Sequence, residues 1–146
     1  MKKISFSLLM MLIVCSAFAT SPVNEKVLNV FSTAFPKVQN VRWYEYKDYY
    51  EVLFDQDDLK CRVQYNAEGQ VIRSRRDYYG KDLCPFLKAK IAQKYPGKNV
   101  YGVTEITTDE EISYDIILED EKTWMYIKSD AVGQMSTANK FNKAQP

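Results

Sequence analysis

Residues 35–70 read FPKVQNVRWYEYKDYYEVLFDQDDLKCRVQYNAEGQ, and the fold is decided there. Phe35-Pro36 stops a preceding helix, because the residue before a proline is pushed out of the helical region. Asn40-Val41 then opens a Tyr-rich, strand-like run, which closes on Asn66-Ala67-Glu68-Gly69-Gln70. The same order returns as Tyr95-Pro96, Asn99-Val100, Tyr114 to Leu118 and Asp130-Ala131-Val132-Gly133-Gln134. A duplicated module is the reading this order supports; the alternative is coincidence between two helix-plus-sheet segments.

Working outward, Val23, Val27, Val30, Phe31 and Ala34 repeat with helical spacing upstream of Pro36. Ser21 is the expected cap, with Pro22 in the first turn. Leu83, Leu87, Ile91 and Tyr95 repeat that spacing at a constant offset of 60 from Val23, Val27, Phe31 and Phe35. The offset falls to 59 at Asn99-Val100 and rises to 64 at Tyr114 and at Gly133-Gln134. Changes confined to loops are what duplication leaves behind. Strands are expected over 41–46, 49–54, 60–65 and 70–75, with Lys47-Asp48 as a tight connection and Gly69 supplying a positive φ in its turn.

The N-terminus carries Lys2 and Lys3, an apolar run from Ile4 to Val14, and Ala17-Phe18-Ala19. Such a run is too short to span a bilayer comfortably, so residues 1–19 read as a secretory signal cleaved before Thr20. A retained anchor is one alternative. A lipid-modified Cys15 is another, less favoured because Val14 is bulky. The expected location is periplasmic or secreted. Cleavage leaves 127 residues, enough for one cored domain over 20–136, with repeats at about 21–79 and 80–136. Residues 137–146 are polar and aperiodic and are expected to be a disordered tail.

Cleavage removes two lysines and no acid, so 20 basic and 19 acidic side chains become 18 and 19, a net charge of −1. That balance gives no reason to expect nucleic acid or an anionic membrane as partner. Cys61 and Cys84 survive cleavage. In an oxidising compartment they are expected to form a disulfide, with two buried free thiols as the alternative.

Alternation assigns Tyr50, Val52, Phe54, Cys61, Val63, Tyr114, Ile116, Leu118, Met125 and Ile127, with Trp43, to the helix-facing side. The opposite parity holds Tyr44, Tyr46, Tyr49, Leu53, Arg62, Gln64, Ile117, Trp124 and Tyr126. Tyr, Trp and Arg are the composition of protein contact sites; it is also that of ordinary strand surfaces.

No histidine is present. Ser-His-Asp and Cys-His catalysis and His-based zinc sites are therefore absent. Acidic runs at Asp55, Asp57 and Asp58, at Asp109 to Glu111, and at Glu119 to Glu121 read as solvated hairpin tips. General acid–base work or metal binding is their alternative. Arg73, Arg75 and Arg76 beside Tyr78 and Tyr79 form a short basic-aromatic patch, which on a neutral protein reads as a charged edge strand, with a nucleic-acid site as the less favoured alternative.

With Phe35-Pro36, Asn40-Val41-Arg42-Trp43, Tyr49-Tyr50-Glu51-Val52-Leu53-Phe54 and Asn66-Ala67-Glu68-Gly69 in view, the chain resembles the PepSY-like, β-lactamase-inhibitor-like family of small exported bacterial proteins. The resemblance covers nearly all of the mature chain; Gly102 stands where the first unit has Trp43. It implies an α+β fold: a tandem repeat of one helix plus about four antiparallel strands, forming one curved sheet with both helices on one face. It implies no established enzymatic role. Relatives of this architecture bind and inhibit enzymes such as β-lactamases or are linked to peptidase control.

The expectation is an exported, non-catalytic binding protein without cofactor or metal. A concave aromatic face would hold a protein or peptide, with Tyr44, Tyr46, Tyr49, Trp124 and Tyr126 as anchors, Arg62 as a charged contact and Asp48 at a hairpin tip. The runner-up is a small-ligand carrier or sensor in the cell envelope, which calls for a closed apolar pocket between helices and sheet. A hydrolase built on the acid runs would need two carboxylates converging in one cleft.

Overall fold

The computed structural model describes residues 23–144. The expected signal segment, Cys15, Ser21 and Pro22 lie outside them. Helix α1 spans Glu25–Ala34. Its cap is Asn24 rather than Ser21: the Asn24 side chain accepts from the Lys26 N–H at 2.8 Å and satisfies one of the free donors of the first turn. Phe35 ends the helix, returning its N–H to the Phe31 carbonyl at 2.8 Å before Pro36.

Four strands follow: β1 (Gln39–Glu45), β2 (Tyr50–Gln56), β3 (Leu59–Tyr65) and β4 (Val71–Tyr79). A 3-10 turn, Gly80–Asp82, leads into α2 (Pro85–Lys94), then β5 (Asn99–Thr108), β6 (Ile112–Glu119), β7 (Thr123–Asp130) and β8 (Met135–Asn142). All eight strands form one antiparallel sheet in the order β1 to β8.

Register fixes which side chains share a face. Cys61 pairs with Arg76, Arg76 with Glu105, Glu105 with Tyr114, and Tyr114 with Ser129. Both helices cover the face on which this row lies. Beneath α1 the core is largely aromatic. Val27 and Phe31 meet Val52, Phe54, Val63 and Tyr65, and the Phe31 ring lies 5.2 Å from both Trp43 and Phe54. Beneath α2 it is aliphatic: Leu83, Leu87, Ile91, Val103, Ile116, Leu118 and Ile127. Between the two cores Arg76 donates to the buried Glu105 carboxylate, and the Tyr78 hydroxyl donates to it at 2.9 Å. Burial and that carboxylate together push the Tyr78 phenol far above its ordinary range.

The two halves match at several points. Both helices end in the same backbone conformation, at Phe35 and Tyr95. The turns after β3 and β7 close with the same bonds, Asn66 N–H to Gln70 and Asp130 N–H to Gln134. Gly69 and Gly133 sit in those turns at φ +80° and +77°, each against its own helix. The register revises one pairing read from the sequence. Gln39 pairs with Asp55 and Asn99 with Glu119, so Gln39 and Asn99 occupy like positions in their ladders, 60 residues apart, as do Trp43 and Val103. The counterpart of Trp43 is therefore Val103, not Gly102. The shared Asn-Val letters mislead because each strand carries a one-residue bulge at that point. In β1 the bulge holds Asn40, at φ +55°, whose amide donates to Asp55 at 2.7 Å.

Three further expectations are corrected. Residues 137–142 are not a tail but most of β8; its side chains are nearly all exposed, and polar or charged residues suit an edge strand. β4 is not an edge: it lies mid-sheet and runs on to Tyr79. Cys61 and Cys84 are not bridged. Both thiols are free, Cys61 buried in the α1 core and Cys84 exposed at the cap of α2. Burial raises the Cys61 thiol above its ordinary pKa.

The helix-free face of the sheet

The alternate register carries the residues expected to face away from the helices. Arg42 and Leu53, Leu53 and Arg62, Ile117 and Tyr126, and Glu119 and Trp124 are direct cross-strand pairs, and none shares parity with the helix-covered row. At the β1–β2 hairpin the Tyr46 and Tyr49 rings stack at 4.6 Å, beside an exposed Asp48 tip. Tyr44 is exposed two residues before Tyr46.

These anchors do not form one continuous surface. Tyr44 lies on β1 and Trp124 on β7, so six strand spacings, about 30 Å along the sheet, separate them. One corner holds Tyr44, Tyr46 and Tyr49. The other holds Trp124 and Tyr126 together with Tyr79, Tyr101 and Phe141, which sequence reading missed. Tyr101 meets Trp124 edge-on at 4.9 Å and Tyr79 at 6.5 Å, and Tyr126 meets Phe141 at 5.7 Å. Lys143 lies over the Trp124 ring at 4.3 Å and pairs with Glu119 at 2.7 Å. Trp124 is thus held in place, while Tyr126 is 41% exposed. Each missed residue has a reason. Tyr79 lies beyond the expected end of β4, Tyr101 reaches this face through the β5 bulge, and Phe141 is the lone aromatic of the supposed tail.

A charged belt separates the corners. Lys60 pairs with Asp55 at 2.8 Å, Arg75 with Asp77 at 2.9 Å, and Lys128 with Asp115 at 3.3 Å. Hydrogen bonds from Lys60 and Asn40 hold the Asp55 carboxyl below its ordinary pKa. Thr104 also donates to Asp77, at 2.5 Å. Parity divides the arginine run of β4: Arg73 and Arg75 belong to this face, Arg76 to the helix side.

Beside the second aromatic corner lies an open hollow of about 610 Å3. Gly102, Thr104 and Ile117 form its floor, with Tyr79, Tyr126 and Lys128 among its walls. A Cβ on Gly102 would come no nearer than 4.0 Å to any other group, so the missing side chain leaves the floor open.

The acidic runs occupy three separate hairpins, after β2, β5 and β6. Asp58 is paired with Lys81 at 3.0 Å and Asp120 with Lys98 at 2.5 Å. The hydrogen bond from Lys98, and those from the Lys122 and Thr123 N–H groups, hold Asp120 well below the usual carboxylate range. Among the described residues no three Cys, Asp or Glu side chains converge on a metal position. No helix there is long and apolar enough to cross a membrane.

No family profile matches the chain, and no curated protein matches it. Solved structures do resemble it. A BLIP-like protein from Bacteroides fragilis NCTC 9343 superimposes with a TM-score of 0.60 at 12% identity, over 88% of this chain and 92% of that one. A DUF2874 family protein from Bacteroides ovatus ATCC 8483 gives 0.59 at 18% identity, over 84% and 89%. A protein of Bacteroides eggerthii DSM 20697, described as a candidate periplasmic protein, gives 0.59 at 15% identity, over 84% and 90%. At such identities the likeness is one of fold: an open eight-stranded antiparallel sheet with two helices, as in the BLIP-like neighbour.

Proposed function

We propose that this chain is an exported, non-catalytic binding protein whose helix-free sheet face holds a polypeptide, in the manner of an enzyme inhibitor. The observation that carries the reading is the second aromatic corner: Tyr79, Tyr101, Trp124, Tyr126 and Phe141 turned away from both helices beside a hollow of about 610 Å3. Aromatic rings fixed by one another offer large contact area at little entropic cost, which is how anchor residues act. Tyr126 and Trp124 are the central anchors, with Tyr44, Tyr46 and Tyr49 at the far corner and Arg62 and Asp48 as polar contacts. The fold shared with a BLIP-like protein supports the reading, as does the fold shared with a candidate periplasmic protein for the location. Residues 1–19 act as the signal segment in this proposal. The matched helix ends, turns and registers support descent of the two halves from one doubled unit, and kinship with PepSY-like proteins belongs to the same proposal.

The small-ligand alternative is favoured by the volume of the hollow, which falls in the range of small-molecule sites. Its openness on the helix-free surface of the sheet, rather than enclosure between helices and sheet, favours a polypeptide.

The test is capture of partners from a native envelope fraction by the mature protein, with Trp124→Ala/Tyr126→Ala beside it. The double variant should lose the captured partner and melt within a few degrees of the parent. Capture unaffected by the double variant would refute the assignment of the face, and equal loss of folding would place these rings in the core.

A further inference from the structure

Four side chains stand at the corners of a square on the helix-free face. Arg62 on β3 lies directly opposite Arg75 on β4, and Gln64 directly opposite Arg73. All four line one small recess of about 80 Å3. Side chains directly opposite stand about 5 Å apart at Cβ and diagonal ones about 7–8 Å, so three guanidinium groups reach one point.

Like charges placed directly opposite across a sheet destabilise it unless something neutralises them. The surroundings do so only in part. Arg75 is held by Asp77, through bonds of 2.9 to 3.1 Å. Among the described residues Arg62 has only Glu51, at 3.8 Å, and that carboxylate already accepts from Gln64 at 2.8 Å. Arg73 has no ion pair or side-chain hydrogen bond among the described residues. Arg42, opposite Leu53 in the same cross-strand row, has Asp55 for an acidic neighbour. The three arginines of the square thus face two acids, Glu51 and Asp77, a local excess of one positive charge. The recess holds the volume of two or three waters, which suits a carboxylate. Guanidinium forks match carboxylate geometry with paired N–H donors, and Arg73 has all of its donors free for that use.

We propose that the square formed by Arg62, Gln64, Arg73 and Arg75 binds the carboxylate of a Glu or Asp side chain on the partner polypeptide. The proposal rests on the reading of this face as a polypeptide-binding surface. It adds the partner's chemistry: an acidic side chain for the arginine square, presented by the same polypeptide whose apolar part meets the aromatic corner.

The probes are a capped glycine pentapeptide with a central Glu, its Gln counterpart, and inorganic sulfate. Each is titrated into the mature protein while the Nε–Hε signals of the arginines are followed by NMR. The Glu peptide should shift Arg62 and Arg73 saturably, less so at high salt, and the Gln peptide should not. Arg73→Gln should weaken the Glu peptide about tenfold, as expected for one lost charge-assisted partner. Arg73→Lys, a point charge without the fork, should fall between. Equal binding of the Glu and Gln peptides, indifference to Arg73→Gln, or sulfate binding more tightly than the Glu peptide would each overturn the proposal, the last by assigning the recess to a free oxyanion. Trp124 and Tyr126 take no part in this titration. Its failure therefore leaves the aromatic anchors standing, whereas failure of the double variant to lose its partner removes the reading beneath both.

Discussion

Replacing Gly80 with Ala should cost far more than the size of a methyl group suggests. Gly80 is buried where β4 gives way to the turn before α2. A Cβ built there would lie 2.2 Å from the Val100 carbonyl oxygen and 2.7 and 2.8 Å from the Val100 Cβ and Cγ1. A rotamer change cannot relieve the first contact, because the obstacle is backbone on the adjoining strand. One of the two segments must move by roughly 1 Å to restore an ordinary van der Waals contact. Overpacking a close-fitted core costs about 1–3 kcal/mol, and a fixed backbone obstacle puts this case near 3 kcal/mol. For a chain of this size that is a drop of about 10 °C in Tm, or a urea midpoint lower by about 2 M. Gly102→Ala is the internal control. Its Cβ would meet nothing closer than 4.0 Å, so stability should change by less than about 0.5 kcal/mol. Thermal and urea melts of both variants decide the matter. A Gly80→Ala protein that melts within 2 °C of the parent would refute the reasoning, and so would a Gly102→Ala loss as large.

Phe31→Ala should destabilise by about 3–5 kcal/mol in urea melts, since it removes a buried ring in contact with Phe35, Trp43 and Phe54; a loss below 1 kcal/mol would mean that the core collapses around the gap. Asp120 is depressed in the folded protein, so the stability it supplies is present above the unfolded carboxylate pKa of about 3.8 and is lost as pH falls toward the lower folded value. Asp120→Asn should therefore lower stability at pH 7 and flatten its decline between about pH 4 and pH 2; acid melts of unchanged slope would contradict the pairing with Lys98.

Much of the fold was legible because its signals are periodic. The helical spacing of Val27 and Phe31, and of Leu87 and Ile91, matches the buried stripes of α1 and α2. Alternation gave the facing of β2, β3, β6 and β7 because those strands pair without bulges over the relevant residues. It failed where a bulge shifts the phase: the letters Asn40-Val41 and Asn99-Val100 agree, yet the hydrogen-bonded ladder sets Gln39 against Asn99 as counterparts. It also failed at β8, since an edge strand exposed on nearly every side chain has no apolar alternation to read. The candidate face was legible residue by residue but not as a shape. Each expected aromatic lies on the helix-free side, but sequence parity gives no distance along a sheet and so did not separate the two corners. The arginine square was hidden for the same reason. Arg62 and Arg73 stand eleven positions apart in the chain, and only the register of β3 on β4 brings them to one recess.

Strand order has a mechanical meaning. β1 and β8 are the two margins of the sheet. Tension applied between them acts along the inter-strand hydrogen bonds, which in an antiparallel pair run perpendicular to the strands. A force in that direction opens the ladder a few bonds at a time, from a margin inward, instead of shearing a whole row at once. Since each strand is bonded to its neighbours in sequence, the released segment is contiguous chain, free to zip back without threading through the rest.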